Sequence, residues 1–326
     1  MPKGHDAVPL LDSYTAQLFG AMQTVTIQQK VDLMEAVLTN TIGCGEQPNK
    51  YKVFDTQTGY PLFHVEEFNN NACLRCCCAP NHSLFAKYFV LNPDGSINTG
   101  MPPVLTMERE GICGPNCKQP CCFACTTGCR DEMRLHAGDI TVGDPGACAS
   151  DRVIGGALQP FLGGGFTPTV QVMDREKEGL NKENPISIVE GPFCCIGGCL
   201  QMCMDMSFSF SNVPAGYNGE VLKLGDLATI EKKKPDSFSS AVREAMTDAD
   251  TYTVTFVDPG LTPQQKASIL TTVIFLDYMF FENDNDMIYC DPFNKSVTIT
   301  PFVCYCCGCL CPCSVTCGGE EKHSHS

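Results

Sequence analysis

Cysteine is the residue type with the most chemistry in this chain, and it comes in runs. There are 24 cysteines among 326 residues. They gather as Cys73, Cys76, Cys77 and Cys78; as Cys113, Cys117, Cys121, Cys122, Cys125 and Cys129; as Cys194, Cys195, Cys199 and Cys203; and as Cys304, Cys306, Cys307, Cys309, Cys311, Cys313 and Cys317. Clustered thiols ligate a soft metal, carry a covalent modification, or sit inert in a core. Cys73-x2-Cys76, Cys122-x2-Cys125 and Cys306-x2-Cys309 have zinc-finger-like spacing, so zinc is one reading. No paired histidines accompany them; His323 and His325 lie in the hydrophilic end GGEEKHSHS. So many cysteines also produce such spacings by chance.

Carboxylates are the second set. The formal net charge is −15, which argues against a nucleic-acid partner, since that needs a basic footprint. It also opposes unaided docking on anionic lipid. A bridging cation or a covalent lipid removes that objection. Glu282, Asp284 and Asp286 follow an apolar run, at a helix end where the dipole disfavours anions. They form either a cation site or a solvated acidic loop. Lys232-Lys233-Lys234 is either a contact for phosphate or an import signal, or a solvated turn. Gly163-Gly164-Gly165 lacks the strand–helix frame of a phosphate loop and reads as a loop. There is no nucleophile elbow, zinc-protease helix, P-loop or dinucleotide fingerprint.

The start, MPKGHDAVPLLDSY, has no apolar signal-peptide core, and Pro2 stands where N-myristoylation needs glycine. The expected compartment is the reducing cytosol, where thiols stay unpaired.

The element that must organise these groups is Thr262 to Glu282. Its large apolar residues, Ile269, Val273, Ile274, Leu276 and Phe280 among them, sit at every angle of a 3.6-residue repeat. Thr262, Pro263 and Gln265 sign its start as a capping box. Ala267 to Phe281 would be roughly 22 Å long, against about 30 Å for a bilayer core. Asp277 sits inside the run, costly in lipid. The expectation is a buried central helix, with a single-pass span as the alternative.

Around it the pattern is strands. YKVFDTQTGYPLFHVEE reads as a hairpin about Thr58-Gly59, and Asn92-Pro93-Asp94-Gly95 as a turn after LFAKYFV. MRLHAGDITVGD, TPTVQVMDREKEG, ISIVEGPF, SFSFSNVPAG and TYTVTFV are further strands, and Val297 with Ile299 suggests one more. Many short strands predict a mainly β sandwich or barrel. Three times a cysteine cluster precedes an alternating strand, which would gather thiols at equivalent ends of a sheet. Val25 to Leu38 has Ile27, Val31, Met34 and Leu38 at helical spacing, and Ser237 to Met246 reads as a short helix.

AVREAMTDADTYTVTF followed by KASILTTVIFLDYMFFE resembles the phospholipid scramblase family, and weaker likeness covers the rest of about 25–282. The resemblance implies a Tubby-like β-barrel of about 12 antiparallel strands around a central hydrophobic C-terminal helix. The expected domains are 1–24 (tail), 25–303 (barrel) and 304–326 (Cys-rich tail). The resemblance implies calcium-dependent bidirectional movement of phospholipid across a bilayer, by a lipid translocator rather than a covalent catalyst. It places weak Ca2+ binding at Asp248, Asp250 and Asp258, and covalent fatty acyl chains on Cys113, Cys117, Cys121, Cys122, Cys125 and Cys129. Two or more acyl chains anchor stably where one does not. The expected location is the cytosolic face of a membrane, the plasma membrane above all, with protein partners or a homo-oligomer. As an EF-hand the acidic segment fails: Tyr252 and Thr253 hold a ligand position and the glycine position, and 251–257 alternates as a strand. The chain departs from the family by its Cys-rich C-terminal stretch. Alternatives are a lipid-tethered phosphoinositide- or partner-binding scaffold without transport, and a thiol-rich metal-binding protein.

Overall fold

Twelve antiparallel strands close into a ring around one helix. The computed structural model describes residues 11–30, 48–68, 82–111, 124–140, 152–176, 179–180, 182, 185–193, 205–213, 225–233, 250–281, 288–291 and 295–318. The strands are β1 (Thr24–Gln29), β2 (Lys50–Asp55), β3 (Pro61–Phe68), β4 (Leu84–Val90), β5 (Leu105–Arg109), β6 (Glu132–Ala137), β7 (Val153–Leu158), β8 (Thr169–Glu176), a two-residue β9 (Gly179–Leu180), β10 (Ser187–Glu190), β11 (Met206–Asn212), β12 (Asp226–Lys232) and β13 (Thr251–Phe256). Neighbours in sequence are neighbours in the sheet, β13 pairs β1, and β10 pairs β8 (Val189 opposite Val170), which closes the ring with β9 outside it. Closure removes the free edges that an open sheet must protect.

The helix α2 (Pro263–Leu276) continues as a π turn over Asp277–Phe281. Thr262 Oγ1 accepts from Gln265 N at 3.2 Å, and Gln265 Oε1 from Thr262 N at 3.0 Å, the expected capping box. Every residue from Lys266 to Leu276 is buried, with Tyr278, Phe280 and Phe281. Inward strand residues such as Val25, Ile27, Val53, Phe63, Val65, Val172 and Val254 pack against it as one core. The buried-helix expectation holds, and no helix among the described residues is long and apolar enough to cross a membrane. α2 comes closest to β7, where a Cβ on Gly155 would lie 2.1 Å from Ser268 Oγ. A side chain there would push helix and sheet apart.

Three sequence readings change. The helix expected over Val25–Leu38 is replaced at its start by β1, whose burial alternates inward at Val25, Ile27 and Gln29. Thr24, Val25, Thr26 and Ile27 are all β-branched and favour strand; residues 31–38 lie outside the described residues. The stretch expected as a tail holds a helix, α1 (Ser13–Ala21), capped by Asp12, which accepts from Tyr14 N and Thr15 N. Phe19 of α1 is fully buried and stacks on Phe63, and Lys266 Nζ donates to Gly20 O and Met22 O. The Cys-rich end is not a tail: β14 (Ile288–Asp291), β15 (Ser296–Cys306) and β16 (Cys309–Gly318) form a second sheet. The helix expected over Ser237–Met246 lies outside the described residues.

Candidate functional site

In a ring of consecutive antiparallel strands the connectors alternate between two ends. One end is where α2 finishes. Tyr51 at the start of β2 and Tyr252 at the start of β13 both bond Asp277, and Lys232 at the end of β12 lies over the Phe281 ring at 3.8 Å. The connectors β1–β2, β3–β4, β5–β6, β7–β8, β10–β11 and β12–β13 are all anchored at this end. They carry Cys44; Cys73, Cys76, Cys77 and Cys78; the six cysteines from Cys113 to Cys129; and Cys194, Cys195, Cys199 and Cys203. The opposite end's connectors carry Cys148 alone, and no cysteine falls within β1 to β13 or α2. The threefold cluster-then-strand pattern is thus a consequence of topology: every second connector starts from the same rim.

The β15–β16 hairpin is at the same end. Tyr305 is fully buried, its ring edge-on to Phe280, and its hydroxyl donates to Gly163 O at 2.7 Å. Cys307 N donates to Gly165 O at 2.6 Å, and a Cβ on Gly308 would come 3.1 Å from that of Ala124. The turn needs Cys307 at φ 52° and Gly308 at φ 91°, a two-residue hairpin geometry. Of the described members of the expected acylation cluster, Cys125 (exposed) follows Ala124 directly, so the fold brings it beside the hairpin tip, and Cys129 (half-buried) comes four residues later. Cys113, Cys117, Cys121 and Cys122 lie outside the described residues.

Inside this rim sits a buried polar cluster. Asp277 accepts from Tyr51 at 2.7 Å and from Tyr252 at 2.5 Å; Tyr252 also reaches Asp250 at 3.0 Å. Asp250 is paired with Lys232 at 2.6 Å, both buried. Burial, then the charge of Asp250, pushes the Asp277 carboxyl up to about 7, against hydrogen bonds from Tyr252 and Tyr51 and the charge of Lys232. Burial and the same two carboxylates push the Tyr252 hydroxyl well above its ordinary value. Next to it Tyr278 donates to Glu67, which meets His82 at 3.1 Å, and Arg109 holds Asp131 at 2.6 Å.

This bears on the expected calcium residues. Asp250 faces inward and already neutralises Lys232. Asp258 lies past the far end of β13, where it accepts from Gly260 N at 2.8 Å. The six extended residues of β13 separate the two by about 20 Å. Asp248, Glu282, Asp284 and Asp286 lie outside the described residues. Among the described residues no three His, Cys, Asp or Glu side chains converge as metal ligands. Lys232, read in sequence as part of an exposed turn, is a buried member of the ion pair; Lys233 is half-exposed beside Glu231. Its only sequence signal was a place at the end of an alternating strand, DLATIEK, which the neighbouring lysines masked.

A model of the Scramblase family matches residues 7–283. Phospholipid scramblase 1 of Rattus norvegicus is 27% identical over 258 residues, covering 79% of this chain and 59% of the relative. Phospholipid scramblase 1 of Mus musculus is 27% identical over 269 residues, covering 82% of this chain and 63% of the relative. The chain thus spans less than two thirds of the length of these curated relatives. No solved structure matches.

Proposed function

The chain belongs to the Scramblase family, and from that premise we propose that it is a membrane-associated, scramblase-like protein that moves phospholipids in both directions between leaflets without covalent catalysis. The support is that the family match takes in α1, the whole barrel and α2. The barrel works as a platform on the cytosolic face, and α2 stays inside it. The cysteine-bearing rim supplies attachment: S-acylation of Cys113, Cys117, Cys121, Cys122, Cys125 and Cys129 sets two or more acyl chains at one end and tethers an acidic protein that lipid charge would repel. Calcium adds a weak dependence through Asp248. Calorimetry is expected to give a small heat with calcium that Asp248→Ala removes; a flat titration at millimolar calcium sinks that part. Acyl-exchange labelling set against elemental analysis tests the thiols, and full zinc loading without thioester reverses their assignment.

One observation favours a second reading. Among the described residues the barrel interior is filled by α2 and the apolar side chains packed on it, which is not the lining of a polar headgroup route. That suits a lipid-tethered module which recognises phosphoinositides or protein partners and transports nothing. Reconstitution of the acylated protein into liposomes holding a fluorescent lipid, quenched from outside with dithionite, separates the two. Loss of fluorescence beyond the outer leaflet's share supports transport. Quenching that stops at the outer leaflet, with calcium present, supports the module.

A further inference from the structure

The β15–β16 hairpin lies beyond the residues that match the family model. Ser296 to Gly318 contains no Asp, Glu, Lys, Arg or His, in a chain of net charge −15. The register separates its two faces. On one, Tyr305 is buried and Leu310 packs on the barrel core. On the other, Cys304 stands opposite Cys311, Cys306 opposite Cys309, and Ile299 opposite Val315. Thiols behave as small apolar groups, so this outer face is apolar along its length. Val315 is 57% exposed and Ile299 40%. The patch continues past the tip. Residues 153–173 also lack charge, and there Phe161 and Phe166 are exposed, with the Phe166 ring 6.2 Å from exposed Phe193.

We infer that this face is a lipid-docking surface, laid in the boundary between headgroups and acyl chains of a bilayer. The inference rests on the membrane reading above and adds the surface that touches lipid. The absence of charge selects the occupant. A protein partner's contact normally carries a polar, charged rim. A second copy brings −15 against −15. A zwitterionic bilayer asks for neither, and exposed aromatic rings beside an apolar patch are the side chains that favour the interface. Depth is limited as well. Among the described residues β16 pairs only with β15, so its outer backbone groups need water and the hairpin lies in the interface without entering the hydrocarbon.

The test is flotation of the full chain with phosphatidylcholine vesicles, once as isolated and once after neutral hydroxylamine has removed thioester-linked chains. Ile299→Asp with Val315→Asp, and separately Phe161→Ser with Phe166→Ser, are each expected to lower the partition of the deacylated protein at least tenfold. Val257→Asp, at an exposed apolar site on the opposite rim, is the control and leaves partition unchanged. If the acylated protein floats and the deacylated protein does not, or if both double variants float as well as the parent, the hairpin is not the docking surface and the membrane reading stands. If the parent floats in neither state, the membrane reading fails with it. If the variants instead turn a dimer into a monomer by sedimentation velocity, with flotation unchanged, the face is a contact between copies and the inference is overturned.

Discussion

Asp277→Asn isolates the cost of placing an acid at the end of a buried helix. In the folded chain this carboxyl holds its proton up to about 7; unfolded, it loses it near 3.8. Over that interval the folded state binds more protons than the unfolded state, so stability falls as pH rises. Each pH unit contributes about 1.4 kcal/mol, which sums to on the order of 4 kcal/mol between the two values. Asparagine cannot ionise, so the variant lacks this slope. It has one oxygen to accept where the carboxyl accepts from both Tyr51 and Tyr252, and the misplaced amide costs about 1 kcal/mol at every pH. The variant is therefore expected to be slightly less stable than the parent below about pH 4. The two cross at about pH 4.5, and the variant is the more stable by a few kcal/mol above about pH 7. Urea unfolding at half-unit steps of pH reads this directly, provided m is constant. A stability difference that does not change with pH refutes the reasoning, because Asp277 would then ionise alike in both states. A difference of opposite slope would mean that Lys232 holds the group charged.

Three further outcomes are expected. Lys232→Met strands Asp250 as a buried unpaired charge and should lower stability by about 3–5 kcal/mol in urea titrations; a loss under about 1 kcal/mol would mean that the pair is hydrated. Gly155→Ala drives a methyl against Ser268 Oγ and should lose about 1–3 kcal/mol. Ser268→Ala should restore part of it, since the Ser268 Cβ would still stand 3.2 Å away; no restoration in the double variant would place the clash elsewhere. Asp12→Ala removes the α1 cap and should lower the thermal midpoint by the equivalent of about 1 kcal/mol, whereas an unchanged midpoint would show that α1 does not unfold with the barrel.

What the sequence made legible was local. β2, β3, β4, β8, β11 and β13 alternate apolar and polar residues with turn signals between them, and α2 announces itself by its cap and its unbroken apolar surface. β5 and β7 escaped for physical reasons. β5 is buried throughout, yet LTMER ends in polar residues, and Arg109 is tolerated there because Asp131 meets its charge. β7, VIGGAL, looks like a loop because of its two glycines, of which Gly155 makes room for a helix more than a hundred residues later. β12 was hidden by its lysines, and the N-terminal helix by its shortness. Of the candidate site, the thiol groups and Asp277 could be picked out. Their meeting place could not, because it depends on which strand ends share a rim. The bond from Tyr51 to Asp277 joins residues 226 positions apart.

The order of the chain sets a problem for synthesis. A ribosome that has passed residue 256 has made all thirteen strands of the larger sheet, yet the helix that fills them begins at residue 263. β1 waits for β13 to close the seam, and the closed seam encloses nothing until α2 arrives. Such long-range dependence makes folding slow and leaves greasy intermediates exposed while it proceeds. A nascent chain of this design must be sheltered until α2 is translated, and a premature stop just before residue 263 would leave a hollow, adhesive shell for the cell's quality control to clear.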